Sequence, residues 1–285
     1  MRFGRLRALI PIQRLREPPP VVAVLRLAGV IGIPTAVRGN LTLANLAASI
    51  ERAFATRGVK AVALAVSSPG GSPVQSALIH KRIRALAEEK EVPVFAFAED
   101  VAASGGYWLA LAADEIYADE NSIVGSIGVI SAGFGFEGLL ERLGVERRVH
   151  TQGDKKQLLD PFGPETPADV ERLEKLQKEI HESFKTLVRS RREGKLKGSD
   201  RELFSGEFWT GREALELGLV DGVGDLRAVM RERFGDKVKL RLMAPERSWL
   251  RRRLGLSEAA GGPGAWALEL VAAAEARALW ARYGL

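Results

Sequence analysis

Ala61-Val62-Ala63-Leu64-Ala65-Val66-Ser67-Ser68-Pro69-Gly70-Gly71 is a run of small and β-branched residues that stops in a turn. Val62, Leu64 and Val66 alternate as strand residues do, and proline followed by glycines turns backbone N–H groups outward. The surrounding chain repeats the plan. Upstream, Val21 to Leu27 reads as a buried strand after Pro18-Pro19-Pro20, and Leu43, Leu46, Ile50 and Phe54 recur at helical spacing between Asn40 and Arg57. Downstream, Ser72 or a neighbour caps a helix to about Lys90, Val92 to Ala98 is strand-like, and Gly105 to Ala113 reads as a buried helix. Strands alternating with helices predict an α/β fold of βα units on a parallel sheet.

The second strand-to-turn junction, Val101-Ala102-Ala103-Ser104-Gly105-Gly106-Tyr107, puts a serine at the start of a helix, where N–H groups favour developing negative charge. Acyl transfer needs a hydroxyl nucleophile, a base for its proton and N–H donors for the oxyanion. Ser104 supplies the first, and the amides of Gly71 and Gly105 supply the last. Either turn alone is ordinary strand-to-helix punctuation. Parallel neighbours bring both to one sheet edge, where α/β folds bind ligands.

The base is sought in Gly153-Asp154-Lys155-Lys156. An exposed lysine, with a pKa of ~10.4, stays protonated at neutral pH, so a lysine base must be desolvated. Read as an extended segment, the lysine pair points to opposite sides, so only one can face Ser104. The spacing leaves both open.

Composition removes other chemistries. With no cysteine, thiolate nucleophiles and cysteine-ligated metals are excluded, and His80, His150 and His181 have no metal-ligand spacing, so no metal and no cofactor is expected. The formal charge is +6, of which five arginines (2, 5, 7, 14 and 16) against Glu17 supply +4 in the first seventeen residues. The excess is thus an N-terminal arm and not a nucleic-acid-binding face. Phe3, Leu6, Leu9, Ile10 and Leu15 interleave with it, which suits a basic amphipathic helix on an anionic membrane and equally a solvated or partner-covered arm. No segment reaches the roughly 20 apolar residues of a membrane span. The expected organisation is a basic arm over 1–20, a catalytic domain over 21–244 and a helical extension over 245–285, with 266–280 as a docking or interface helix.

Four ordered motifs carry a family resemblance: S-P-G-G at 68–71, A-S-G-G-Y at 103–107, G-S-I-G-V at 125–129 and W-T-G-R-E-A-L-E-L-G-L-V-D at 209–221. From Val21 to Leu226 the chain resembles the signal peptide peptidase A group of Ser-Lys peptidases, within the ClpP/crotonase superfamily. The resemblance implies a fold of repeated ββα units. It implies Ser104 as nucleophile, Lys156 as base with Lys155 a bystander, and Ser126 as a hydroxyl orienting the lysine. It further implies an endopeptidase for signal-peptide remnants or other small or apolar peptides. A homo-oligomer, a tetramer or octamer ring, is implied too, in which serine and lysine of one site come from neighbouring subunits. The transmembrane anchor of many such proteins is not seen, so a cytoplasmic location is expected, with the arm available to rest on the inner face of the membrane.

Four other readings compete. Gly133-Phe134-Gly135-Phe136-Glu137-Gly138 fits a dinucleotide fingerprint after a strand-like Ile127 to Ile130, but a helix over Leu139 to Leu143 is too short for the crossover. A Ser-His-Asp peptidase would have only His150, at an expected strand end. A crotonase acting on CoA thioesters would share the oxyanion turns and leave Ser104 idle, and a catalytically silent scaffold would leave Lys156 idle as well.

Overall fold

The computed structural model describes residues 18–32, 41–153, 155–243, 274 and 277–284. The N-terminal arm and most of the C-terminal extension lie outside these residues. The elements run β1 (Val21–Ala28), α1 (Leu43–Ala55), β2 (Val59–Ser68), α2 (Pro73–Lys90), β3 (Val94–Ala103), α3 (Gly105–Ala110), β4 (Glu115–Ala118) and β5 (Ile123–Gly125). They continue as α4 (Glu137–Arg142), α5 (Pro167–Arg191), α6 (Asp200–Leu203), β6 (Phe208–Thr210), α7 (Gly211–Glu216), β7 (Gly222–Val223), α8 (Leu226–Phe234) and β8 (Lys239–Leu242).

The sheet order is β6-β5-β3-β2-β1-β8, with β4 pairing β3 and β7, and every pairing is parallel except β5 with β6. Both faces are covered, which is why β1 and β2 read as nearly continuous apolar runs. On one face Leu25, Leu27, Leu64 and Val66 pack with Ile50 and Phe54 of α1 and Ile79 and Ile83 of α2. On the other, Val22, Val24, Ala63, Phe95 and Phe97 lie under Val229 and Met230 of α8. Each such aliphatic side chain contributes about 1.5–3 kcal/mol on full burial.

Capping fixes where helices begin. The hydroxyls of Thr42, Ser72 and Thr166 accept from the N–H of Asn45, Gln75 and Asp169 as α1, α2 and α5 start, and Pro73 and Pro167 occupy the first turn. Thr210 and Glu213 form a reciprocal capping box on α7.

Strand β3 runs past the expected end at Ala98 to Ala103, and it changes partner on the way. Phe95–Ala98 pair with β4, whereas Val101–Ala103 pair with β5. Between them lie exposed Glu99 and Asp100, and the register against β2 shifts between Val66 and Ser68. The buried Ser122 hydroxyl closes the bend by donating to the carbonyls of Ala98 and Glu99 at 3.0 and 2.5 Å. Three further expectations are corrected. Ile127 to Ile130 is not a strand, residues 145–150 form none, and Lys155 and Lys156 lie in a turn and not an extended segment.

Long-range ties hold the motif segments together. Tyr107 donates to the Leu219 carbonyl at 2.7 Å, and burial holds its phenol well above the ordinary range. Trp108 stacks on Phe184 of α5 with ring centroids 4.6 Å apart. Buried Arg192 bonds the Asp221 carboxylate at 2.6 Å and the Gly218 carbonyl at 2.9 Å. Burial pushes Asp221 up, but the bonds from Arg192, Lys195 and the Ile116 N–H outweigh it and leave the carboxyl below its usual range. His80 on α2 is buried, and desolvation, then the charge of Arg191, lower it to about 4.

Candidate active site

Ser104 stands where β3 hands over to α3, at φ 53° and ψ −120°. A non-glycine residue in that region costs about 1–3 kcal/mol and persists only where its surroundings impose it. Those surroundings are identifiable. The Ser104 N–H donates to the Gly125 carbonyl at 2.8 Å, and its own carbonyl accepts from Trp108 at 3.0 Å. The half-buried hydroxyl hydrogen-bonds to no described group.

The two glycine turns meet. A Cβ on Gly70 would lie 2.8 Å from the Ser104 Cβ and 2.9 Å from the Gly105 nitrogen. A Cβ on Gly106 would lie 2.3 Å from the Ser68 carbonyl oxygen, so only glycine lets α3 seat against the end of β2. The Gly71 turn is pinned from its other side by loop residue Ile31, whose N–H donates to the Gly70 carbonyl at 2.8 Å and whose carbonyl accepts from Ser72 at 2.9 Å. That pattern leaves the Gly71 N–H unused, and the Gly105 N–H, first in α3, has no acceptor among the described residues either. Among the described residues, the Gly71 and Gly105 amides of the two meeting turns and the Ser104 hydroxyl thus have no hydrogen-bond partner, a donor set suited to an oxyanion.

Ser126 lies beside them. It is buried at φ 52°, its N–H donates to the Glu207 carbonyl at 2.6 Å, and its hydroxyl accepts from Tyr283 Oη at 3.2 Å. The preceding Gly125 is the residue that binds the Ser104 N–H, so the G-S-I-G-V and S-G-G-Y motifs share one hydrogen-bonded corner. The sequence reading missed Tyr283, whose one signal was its spacing from Trp280 on a helical repeat.

Lys156 is not brought to Ser104. Both lysines of the pair are exposed, and no hydrogen bond or ion pair joins Lys156 to Ser104 or Ser126 among the described residues. The lysine turn belongs to an outlying arm over 129–166, with Ile130 64% and Phe134 81% exposed. The arm is braced internally by a contact between Arg147 and Asp160 and by Phe136 against Phe162, centroids 5.5 Å apart. The dinucleotide fingerprint lies in it as well, and α4 behind it has only six residues, none buried.

Strand-end glycine turns on a mostly parallel sheet with helices on both faces define a ClpP/crotonase-like fold. A similar fold, at TM-score 0.50 and 16% identity, is that of the 1510-N membrane-bound stomatin-specific protease, solved as a mutant, over 81% of this chain and all of that one. The model of peptidase family S49 matches residues 86–239, and the chain belongs to that family. It is 34% identical over 213 residues to the chloroplastic serine protease SPPA of Arabidopsis thaliana, covering 72% of this chain and 31% of that one. It is also 52% identical over 290 residues to a Brucella abortus protein named Na(+)/H(+) antiporter NhaA. That match takes in 99% of this chain but 39% of the relative, so the chain spans about two fifths of that protein's length. No helix among the described residues is long and apolar enough to cross a membrane.

Proposed function

We propose that the chain is a serine endopeptidase working through a Ser104–Lys156 dyad. The observation that carries this reading is Ser104 itself, a strained residue whose hydroxyl, like the amides of Gly71 and Gly105 in the adjoining turns, has no partner among the described residues. A neutral Lys156 amine takes the Ser104 Oγ proton as the oxygen attacks the scissile carbonyl. The N–H groups of Gly71 and Gly105 receive the oxyanion. The lysine ammonium then passes its proton to the departing amine, leaving an ester on Ser104 that water hydrolyses by the same route in reverse. Ser126 orients the lysine. A crotonase reaction would give the free Ser104 hydroxyl no work.

The exposed arm favours a dyad shared between copies. Its lysine turn is exposed and makes no bond to the chain's own serine among the described residues, and apolar Ile130, Phe134, Leu139 and Leu143 stand in solvent where a second copy would cover them. Such cover would also desolvate the lysine, which a base needs. A closed ring of four or eight subunits satisfies a head-to-tail contact of this kind. Peptides with small or apolar side chains are the substrate class, following the resemblance to signal peptide peptidases, and the basic arm holds the assembly against the inner, anionic face of the membrane.

A fluorophosphonate or peptide-aldehyde probe tests the dyad. Wild type should label at Ser104, Ser104→Ala and Lys156→Ala should not, and Lys155→Ala should match wild type. Undiminished peptidase activity in either dyad variant would sink the reading.

A further inference from the structure

The C-terminal segment returns to the candidate site. Tyr283, 7% exposed, donates from Oη to Ser126 Oγ at 3.2 Å. Its ring meets Phe208 edge-on at 5.1 Å between centroids, and with Trp280 it packs on Val101, Ala103 and Ile123. Ala103 immediately precedes Ser104, and Ile123 belongs to β5, whose Gly125 carbonyl holds the Ser104 N–H. One tyrosine thus touches both strands that fix the nucleophile, and its hydroxyl ends on Ser126.

We propose that Tyr283 is a positioning residue: its phenol fixes the Ser126 hydroxyl so that the serine's own proton is offered to the neutral amine of the base. The proposal rests on the Ser-Lys reading above. A serine hydroxyl has one proton and two lone pairs. With one lone pair taken by Tyr283, Ser126 is biased towards donating, and a donor facing an amine favours its unprotonated form. Without the phenol, Ser126 is free to turn and accept from an ammonium, which favours the form that cannot act as a base. The ionisable residues on the elements around this pair are Glu99 and Asp100 on β3, Glu207 before β6, and Arg277 and Arg282 on the tyrosine's own segment. Glu99 pairs with Arg26 at 3.7 Å, Asp100 is engaged by the Ser67 hydroxyl at 2.9 Å, and Glu207 contributes only its backbone carbonyl. No side chain of the five bonds to either hydroxyl among the described residues.

The experiment compares full-length Tyr283→Phe, which keeps the ring and removes the hydroxyl, with Trp280→Ala, which removes packing alone. Steady-state cleavage of a fluorogenic peptide of small apolar residues is followed across pH, beside thermal unfolding. For Tyr283→Phe, kcat should fall about three- to tenfold with KM unchanged, and the acid limb of the pH–rate profile should move up by roughly 0.4–1 unit, as loss of an ordinary hydrogen bond would give. Trp280→Ala should lower Tm and leave the limb in place. In unfolding, Tyr283→Phe and Ser126→Ala should be non-additive. An unmoved limb in Tyr283→Phe, an equal shift in Trp280→Ala, or strict additivity overturns the positioning role. A wild type inert to both peptide and fluorophosphonate ends the Ser-Lys reading and this proposal together, whereas an active wild type with an unmoved limb ends this proposal alone.

Discussion

Residues 59–127 and residues 129–166 of the same chain are built by opposite rules. The strands and turns of the first stretch are buried, Gly71 and Gly106 are forced by backbone contacts, and the strain at Ser104 is held by hydrogen bonds from both sides. The second exposes its large apolar side chains and braces itself with its own aromatic and ionic contacts. The proposed nucleophile, Ser104, is in the first and the proposed base, Lys156, in the second. In that reading a nucleophile needs a rigid frame that one chain can supply, while a desolvated base needs a cover that this chain leaves off its own arm.

The comparison breaks most sharply at the dyad. Ser104→Ala or Lys156→Ala should each lower kcat/KM by at least about 10^4-fold, in line with loss of a nucleophile or its base, and Lys156→Arg should be as inactive because guanidinium keeps its proton. Mixing refolded Ser104→Ala and Lys156→Ala chains should regain activity if the dyad is shared between copies. Failure to regain any would place both residues in one chain and abolish the contrast between the two regions.

Stability should reside in the buried region. Arg192→Met, which strips the half-buried Asp221 carboxylate and the Gly218 carbonyl of their buried partner, should cost roughly 3–5 kcal/mol in urea unfolding. His80 gives a pH signature of somewhat smaller size. Its folded value of about 4 lies below the ordinary 6.5, so between those values the unfolded chain binds the extra proton and stability rises with pH. It is fully present above 6.5 and lost as pH falls towards 4. Over that window the wild type should lose about 3 kcal/mol more than His80→Leu, and parallel curves would show that His80 is solvated. The smallest effect belongs to the arm. Phe134→Asp should leave the unfolding free energy of the chain within about 0.5 kcal/mol yet shift the sedimenting species towards monomer and abolish cleavage, whereas a large loss of stability would mean that the arm packs on its own body.

The legible parts of the sequence were those governed by local periodicity. β1, β2 and α2 declared themselves through apolar runs, alternating spacing and a hydroxyl start, and the two glycine turns followed from the strands that feed them. The family assignment rested on those turns and is borne out by the S49 match. The missed parts depend on distant partners. The continuation of β3 was hidden because Glu99 and Asp100 interrupt its apolar pattern where the strand passes from one neighbour to another. Along α5 only Phe184 and Val188 are buried, while Val170, Leu173, Ile180 and Leu187 are half-buried. The turn at Lys155-Lys156 had a local signal in Gly153-Asp154, which the extended reading passed over. Tyr283 reaches Ser126 across 157 positions of sequence, a contact that no periodicity encodes.

The pairing of β8 with β1 has a consequence for how such a body travels through proteins. Val21 lies against Lys239 and Val24 against Leu242, and the Met243 N–H bonds the Val24 carbonyl at 2.8 Å. The sheet therefore begins and finishes on one edge strand pair, about a short strand's length apart. A sheet whose two ends meet can be spliced beside another domain, or re-cut to start elsewhere, without stretching its backbone. Longer chains that carry this stretch as a fraction of their length can adopt it as a cassette, provided that the segment bearing Trp280 and Tyr283 still reaches β3 and β5.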